Sequence, residues 1–353
     1  MLRIGLIGAG GIVQKTHAIG YRALGADYQV TALADPSEFN QSLAGEQFGV
    51  QKEHRYADYR NMLSSIDLDV VVIATPHHLH AGQTIDAAEA GVSVICEKPM
   101  AVSIEDGQRI ADAVTKHGVH YTVVHNLLWS DAVRSARDFV MSGQIGRPIL
   151  GRGEMLASKP VSTTQTHLDW RASRAHGGGA LIDSSYHEIY TVEALMGSPI
   201  TSVDAHLRTL KFSIDVDDTA MMLFDHEDGG ASQVTASWCA RAPGHPGRWV
   251  SVSGTDGAVR IVYGDPQPLS VFRDVAPRWE TSDHAGRSGS GLIAEPDPPG
   301  HGAFLVTAFR AVAQGDPMPV PVERAFHNLA VIDAARRANE TRWSAKVKKL
   351  GVS

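Results

Sequence analysis

Cysteine is nearly absent from this chain of 353 residues, where only Cys96 and Cys239 carry a thiol. Two cysteines at that separation match no metal spacing, and a reducing cytoplasm is a simpler expectation than a disulfide framework. Long apolar runs are missing as well. None approaches the roughly 20 residues of a membrane span, so no membrane association is expected. The opening Met1-Leu2-Arg3-Ile4-Gly5 enters a strand pattern at once, which leaves no room for a signal peptide. Basic excess is also lacking: 32 Lys and Arg stand against 39 Asp and Glu, an argument against nucleic acid as a partner. The 17 histidines are many, but they do not fall at metal-ligand spacing, and no metal is expected. What remains is ordinary globular material, 43% hydrophobic and 20% charged, at a length that suggests two domains.

Strand and helix patterns alternate over residues 1–122. Strands are predicted at 3–7, 28–34, 69–74, 92–96 and 119–124, with helices at 12–24, 37–48, 80–90 and 104–117. The near-continuous apolar run Asp69-Val70-Val71-Val72-Ile73-Ala74 suits a strand covered on both faces, and the βαβα rhythm implies a doubly wound parallel sheet. From 123 to 353 the pattern changes. Helices are predicted at 131–142 and 180–196. Alternating runs follow at 202–210, 217–224, 231–238, 248–253 and 257–263, as in a large open, mostly antiparallel sheet of an α+β domain. Residues 274–302, rich in Pro, Gly, Ser and charge, read as a surface loop, and a terminal helix is predicted at 322–339. There is no internal repeat.

Gly8-Ala9-Gly10-Gly11-Ile12-Val13 follows a strand and opens a helix, the context of a Rossmann dinucleotide turn. Gly8 permits the tight turn, Gly10 the close approach of a pyrophosphate, and Gly11 and Ile12 begin the helix whose N-terminus would hold it. Val13 stands where the fingerprint has Gly or Ala, which loosens helix–strand packing without blocking phosphate binding. Asp35 ends the second strand, where a carboxylate can accept from an adenosine ribose. A carboxylate there would repel a 2′-phosphate and no Arg follows it, so NAD is favoured over NADP. Lys98, in Glu97-Lys98-Pro99, ends another strand, at the edge where such sheets place ligands.

Further on, Gly177-Gly178-Gly179 precedes Ala180-Leu181-Ile182-Asp183-Ser184-Ser185-Tyr186-His187. A helix beginning near Ala180 puts Asp183 and His187 four apart on one face, and the glycines would let the backbone pass close to a neighbour such as a nicotinamide ring. Together these segments resemble the Gfo/Idh/MocA oxidoreductases over nearly the whole chain. The resemblance also takes in Ala74-Thr75-Pro76 with His80, Asp217-Asp218, and Val252-Ser253-Gly254-Thr255-Asp256-Gly257. It implies hydride transfer from an alcohol carbon to NAD. His187 would be the general base, Asp183 would bind substrate or hold the imidazole, and Lys98 would donate to the reacting oxygen. Thr75, Pro76, His77, His80 and Glu97 would line the cofactor, and Asn126 would reach the carboxamide.

One departure bears on substrate. Many relatives carry Arg just after the Asn that is Asn126 here, whereas this chain reads Leu127-Leu128-Trp129. Trp129, His167, Trp170, Arg171, Arg174 and His176 are candidate pocket residues. Their aromatic faces and donors suit a carbohydrate, the two arginines would equally suit an anionic sugar, and the tryptophans could simply pack a domain interface. The leading expectation is an NAD-dependent dehydrogenase of a sugar, inositol or sugar derivative. Alternatives are an NAD-retaining glycosidase that works through a transient 3-keto sugar and, below these, a non-catalytic sensor. A homodimer or homotetramer covering the open sheet face is implied by the resemblance.

Overall fold

The computed structural model describes residues 1–157, 170–240, 247–266, 268–273, 276–281 and 300–351. The chain separates into two compact units. One comprises Met1–Asn126, Asp297–Leu329 and Leu350–Ser353, the other Leu127–Pro296 and Ala330–Lys349.

The first unit holds a parallel sheet of β1 (Leu2–Ile7), β2 (Tyr28–Ala34), β3 (Arg55–Tyr56), β4 (Val70–Ile73), β5 (Ser93–Cys96) and β6 (Tyr121–Val123). Their order is β3-β2-β1-β4-β5-β6. Every residue of β4 and β5 is buried, which is why these strands read as unbroken apolar runs. A π-helical turn over Ile12–His17 leads into α1 (Ala18–Ala23), where one uninterrupted helix was expected. Helices α2 (Glu38–Phe48), α3 (Tyr59–Ser65), α4 (His80–Glu89) and α5 (Ile104–His117) complete the crossovers. Ser37, Asp58 and Ser103 accept N–H bonds at the starts of α2, α3 and α5, the side-chain capping that stops each helix from fraying. Strand β3 and helix α3 were not anticipated, being too short for a periodic signal.

The second unit begins with α6 (Asp131–Met141) and β7 (Pro148–Leu156), followed by a π-helical turn at Leu181–Ser185 and α7 (Tyr186–Met196). Then come β8 (Ile200–Arg208), β9 (Thr219–His226), β10 (Ala231–Ser237), β11 (Arg248–Gly254), β12 (Gly257–Val262), β13 (Leu269–Arg273) and β14 (Ala276–Thr281). With β15 (Ala345–Lys346) they form one sheet ordered β14-β13-β12-β11-β7-β10-β9-β8-β15. Only the β7–β10 pairing is parallel among those described; the others are antiparallel. One face carries Ala220, Met222, Phe224, Val234 and Val250 into a core with Tyr186, Ile189 and Tyr190 of α7.

Three expectations need correction. Strand β7 lies at the centre of this sheet yet was not predicted, because Gly151 and Gly153 interrupt its apolar alternation. The reason for those glycines is packing: a Cβ on Gly151 would stand 2.6 Å from Val192, and one on Gly153 would stand 3.0 Å from the Cβ of Glu188. The predicted loop at 274–302 contains β14, and its end belongs to α8 (His301–Gln314); residues 274–275 and 282–299 lie outside the described residues. Helix α8 itself went unread, and α9 (Val322–Thr341) runs two residues beyond the predicted end. No described helix is long and apolar enough to cross a membrane.

Replacing Gly151 by Val should therefore overpack the α7–β7 contact and lower stability by about 1–3 kcal/mol, read from the denaturant midpoint.

Candidate functional site

In the first unit the strand order reverses between β1 and β4, so the turns leaving these two strands lie side by side, the usual place for a ligand in such sheets. Gly8 has φ 88°, and a Cβ there would stand 2.8 Å from the Ala74 carbonyl oxygen. Glycine is required on both counts. At Gly10 and Gly11 an added Cβ would meet nothing within 4 Å. That open side leaves room for a pyrophosphate at the helix start, so the residues present fit a dinucleotide.

The Asp35 carboxylate, expected at a ribose, is engaged first with the turn itself. Its Oδ2 accepts the Ala9 N–H at 2.8 Å, while Oδ1 accepts the Ser37 N–H at 2.9 Å and Asn40 Nδ2 at 3.2 Å. His80, expected among the cofactor contacts, is fully buried with Nδ1 2.7 Å from the Pro99 carbonyl and Nε2 2.9 Å from that of Thr75. It braces the two turns against each other. Burial pushes its pKa down, against the pull of those two carbonyls. Thr75 Oγ1 donates to Gln83 Oε1 at 2.6 Å, and Gln83 was not anticipated. His77 is buried beside this brace, its ring 5.8 Å from His80, whereas Thr75 and Pro76 are half-buried. Asn126 is buried at the start of a 3-10 turn, Asn126–Trp129.

Glu97 follows β5. Its N–H donates to the Ile73 carbonyl, Oε1 lies 2.7 Å from His17 Nε2, and Oε2 accepts the Lys98 N–H at 3.2 Å. Burial pushes this carboxyl up, but the hydrogen bond from His17 and the charges of His17, His301 and Lys98 outweigh it and hold it at about 2. Lys98 is half-buried, and the Lys98–Pro99 peptide is cis.

In the second unit, the run Gly177–Gly179 serves packing within the unit. A Cβ on Gly178 would collide with the Arg171 carbonyl, and one on Gly179 would stand 2.6 Å from Asp217 Oδ1. The π-helical turn that follows carries buried Asp183, and α7 carries half-buried His187. Wide turns of this kind are frequent at functional sites. Asp217 clamps the start of that turn: its carbonyl accepts the Ala180 N–H at 2.9 Å and its Oδ2 the Leu181 N–H at 2.7 Å. Burial raises the Asp217 carboxyl to about 6, against the lowering effect of the Leu181 N–H.

Arg171, expected at a substrate, lies with Nε 3.3 Å from Asp183 Oδ2 and its guanidinium 4.2 Å from the Trp170 ring centroid. Arg174 Nε and Nη2 donate to the Asp215 carbonyl at 3.3 and 3.2 Å. His176 is exposed at the end of the turn Arg174–His176, Trp129 is half-buried, and His167 lies outside the described residues. His187 Nδ1 is 3.0 Å from the hydroxyl of Tyr190, which also accepts the Leu127 N–H at 3.2 Å. Tyr190 was not foreseen, although its position three residues after a helical His was the available signal.

A Rossmann sheet with a glycine turn open to a pyrophosphate defines a dinucleotide-binding protein. Residues 2–125 match the family model described as "Oxidoreductase family, NAD-binding Rossmann fold", and residues 133–260 match the GFO/IDH/MocA C-terminal domain. The chain belongs to the Gfo/Idh/MocA oxidoreductase family, and its nucleotide is NAD. It is 29% identical to levoglucosan dehydrogenase of Pseudarthrobacter phenanthrenivorans, over 95% of each chain. It is 27% identical to scyllo-inositol 2-dehydrogenase (NAD(+)) of Bacillus subtilis, over 72% of this chain and 74% of that one. Among solved structures it resembles levoglucosan dehydrogenase in complex with NADH, with TM-score 0.85, 26% identity and 99% of each chain covered.

Two outcomes follow from this geometry. Replacing Gly8 by Ala should strain the turn by about 1–3 kcal/mol and weaken NADH binding, measured by fluorescence titration. Asp217 is more protonated folded than unfolded, so it lowers stability as pH rises from its ordinary 3.8 to about 6. D217N keeps an oxygen to accept the Leu181 N–H but carries no charge. It should gain stability relative to the parent across that window, seen in denaturant midpoints at pH 4 and pH 7.

Proposed function

We propose that this protein oxidises a secondary hydroxyl of a neutral sugar, inositol or sugar derivative, with Lys98, Asp183 and His187 as its catalytic residues. The observation that carries the reading is the full-length likeness to levoglucosan dehydrogenase, together with a lysine held at the carboxyl end of β5. NAD, when bound, supplies the hydride acceptor. The Lys98 ammonium donates to the substrate oxygen and stabilises the charge that develops there. His187 takes the hydroxyl proton, being the side chain whose ordinary pKa lies nearest neutrality. The Tyr190 hydroxyl, 3.0 Å from Nδ1, helps to orient the imidazole. Asp183 holds the substrate or the imidazole. Glu97, Thr75, Pro76 and His77 line the nicotinamide ribose, and Asn126 reaches the carboxamide.

Charge supports a neutral substrate. Arg171 already faces the Asp183 carboxylate, and the Arg174 guanidinium is taken up by the Asp215 carbonyl. Arg171 is thus already paired with a carboxylate, and Trp129 and Trp170 supply ring faces for a pyranose or cyclitol. The reading extends to a homodimer or homotetramer, since the solvent side of β9 exposes Met221 and Leu223.

The test is incubation of purified protein with NAD and a panel of sugars, inositols and glycosides, followed by absorbance of NADH. NADH formation with a neutral carbohydrate is expected, and aglycone release without net NADH would overturn dehydrogenation. K98M and H187A should each cut turnover by about 100-fold or more while sparing NADH affinity. Full activity in either would sink the assignment.

A further inference from the structure

We propose that His17 is a positioning residue for Lys98 and acts through Glu97, so that the helix behind the glycine turn and the lysine-bearing strand end form one mechanical unit. The inference rests on the catalytic role given to Lys98 above. Three segments far apart in sequence meet here: the π-helical turn that ends at His17, the end of β5, and the first residue of α8, His301. All three side chains are buried.

The Glu97 carboxylate divides its oxygens between two tasks. Oε1 takes His17 Nε2 at 2.7 Å, and Oε2 takes the backbone N–H of Lys98 at 3.2 Å. A carboxylate buried this far is costly unless a strong donor holds it, and His17 is that donor. His17 Nδ1 has no partner among the described residues, so Nε2 carries the proton that Glu97 accepts. His17 sits on the same short helix that Gly10 and Gly11 open. A displacement of that helix therefore moves the carboxylate, and the carboxylate moves the Lys98 backbone. Displacements well below 1 Å matter at a hydride-transfer site.

A metal ion is the rival occupant of these three residues. Ligand atoms about 2.1 Å from a tetrahedral ion stand about 3.4 Å apart. Here His17 Nε2 is 2.7 Å and His301 Nε2 3.9 Å from Glu97 Oε1, one too close and the other too far. The spacing fits a hydrogen-bonded pair with a second imidazole tilted beside it, the two rings 6.0 Å apart.

Other titratable groups act on Glu97 besides His17, His301 and Lys98. Tyr21, His80, Cys96 and His125 all lie within its electrostatic reach. His17 gives the carboxylate its short side-chain contact, 2.7 Å from Oε1, beside the Lys98 backbone N–H on Oε2. Its removal takes away the largest influence that lowers the Glu97 carboxyl and leaves burial opposed by the charges of His301 and Lys98, so the carboxyl moves upward.

The experiment compares H17A, H17Q, E97Q and the H17A/E97Q double variant with the parent protein, using a carbohydrate that the parent oxidises. H17A should lose about 10- to 100-fold in kcat, keep NADH affinity within about threefold, and gain an acid limb in its kcat profile that the parent lacks. H17Q, which retains an N–H donor, should recover most of the turnover, and the double variant should be no worse than the poorer single one. If H17A does not fold, H17Q and E97Q carry the test: E97Q should show the same loss of kcat that H17A would, and H17Q should retain most of the turnover. Parental kcat in H17A, a loss confined to NADH affinity, or multiplying losses in the double variant would overturn the proposal. So would one equivalent of zinc in the parent protein that H17A lacks. K98M separates this from the reading beneath it: an active K98M sinks the catalytic assignment, whereas an inactive K98M beside a parental H17A sinks only the role of His17.

Discussion

The contact on which the first unit depends is the approach of the Gly8 backbone to the Ala74 carbonyl, too close for any side chain. It exists because β1 and β4 are parallel neighbours at the point where the strand order reverses, so their outgoing turns emerge together. Everything proposed for the cofactor follows from that crowding. Asp35 ties Ala9 to the end of β2, His80 ties Thr75 to Pro99, and His17 ties the following helix to Glu97. Each brace is a buried polar group that reaches a partner outside its own element, the arrangement under which buried polarity rigidifies a site.

The second unit solves a different problem, which is to hold a short helix with defined orientation on a broad sheet. Two glycines on β7 let α7 approach, and Asp217 receives the first N–H groups of the turn that carries Asp183. Arg171 closes over that carboxylate from the preceding segment. The Asp183–His187 pair is thus set by a cap, a close backbone crossing and a counter-charge, none of which the i, i+4 spacing contains.

Much was legible in the chain alone, for identifiable reasons. Buried parallel strands such as β4 are apolar throughout, α5 carries its serine cap and its terminal glycine, and the glycine turn lies between a strand and a helix as its chemistry demands. Local signals of this kind survive because a few adjacent residues carry them. Strand β7 was lost because its glycines serve a helix placed far away in sequence, and β3 because two residues carry no period.

Local chemistry in the sequence therefore specified a parallel Rossmann sheet with its NAD turn and a second sheet-based domain. Tertiary structure alone decided what each polar group does once buried. Asp35 became a brace for the turn, His80 a staple between loops, Arg171 the partner of Asp183, and His17 the donor to Glu97. The physical reason is that a buried charge or imidazole must be satisfied by whichever donor or acceptor the fold brings within about 3 Å. That partner lies 26 residues away for Asp35 and Ala9 and 80 for His17 and Glu97, where no spacing rule reaches.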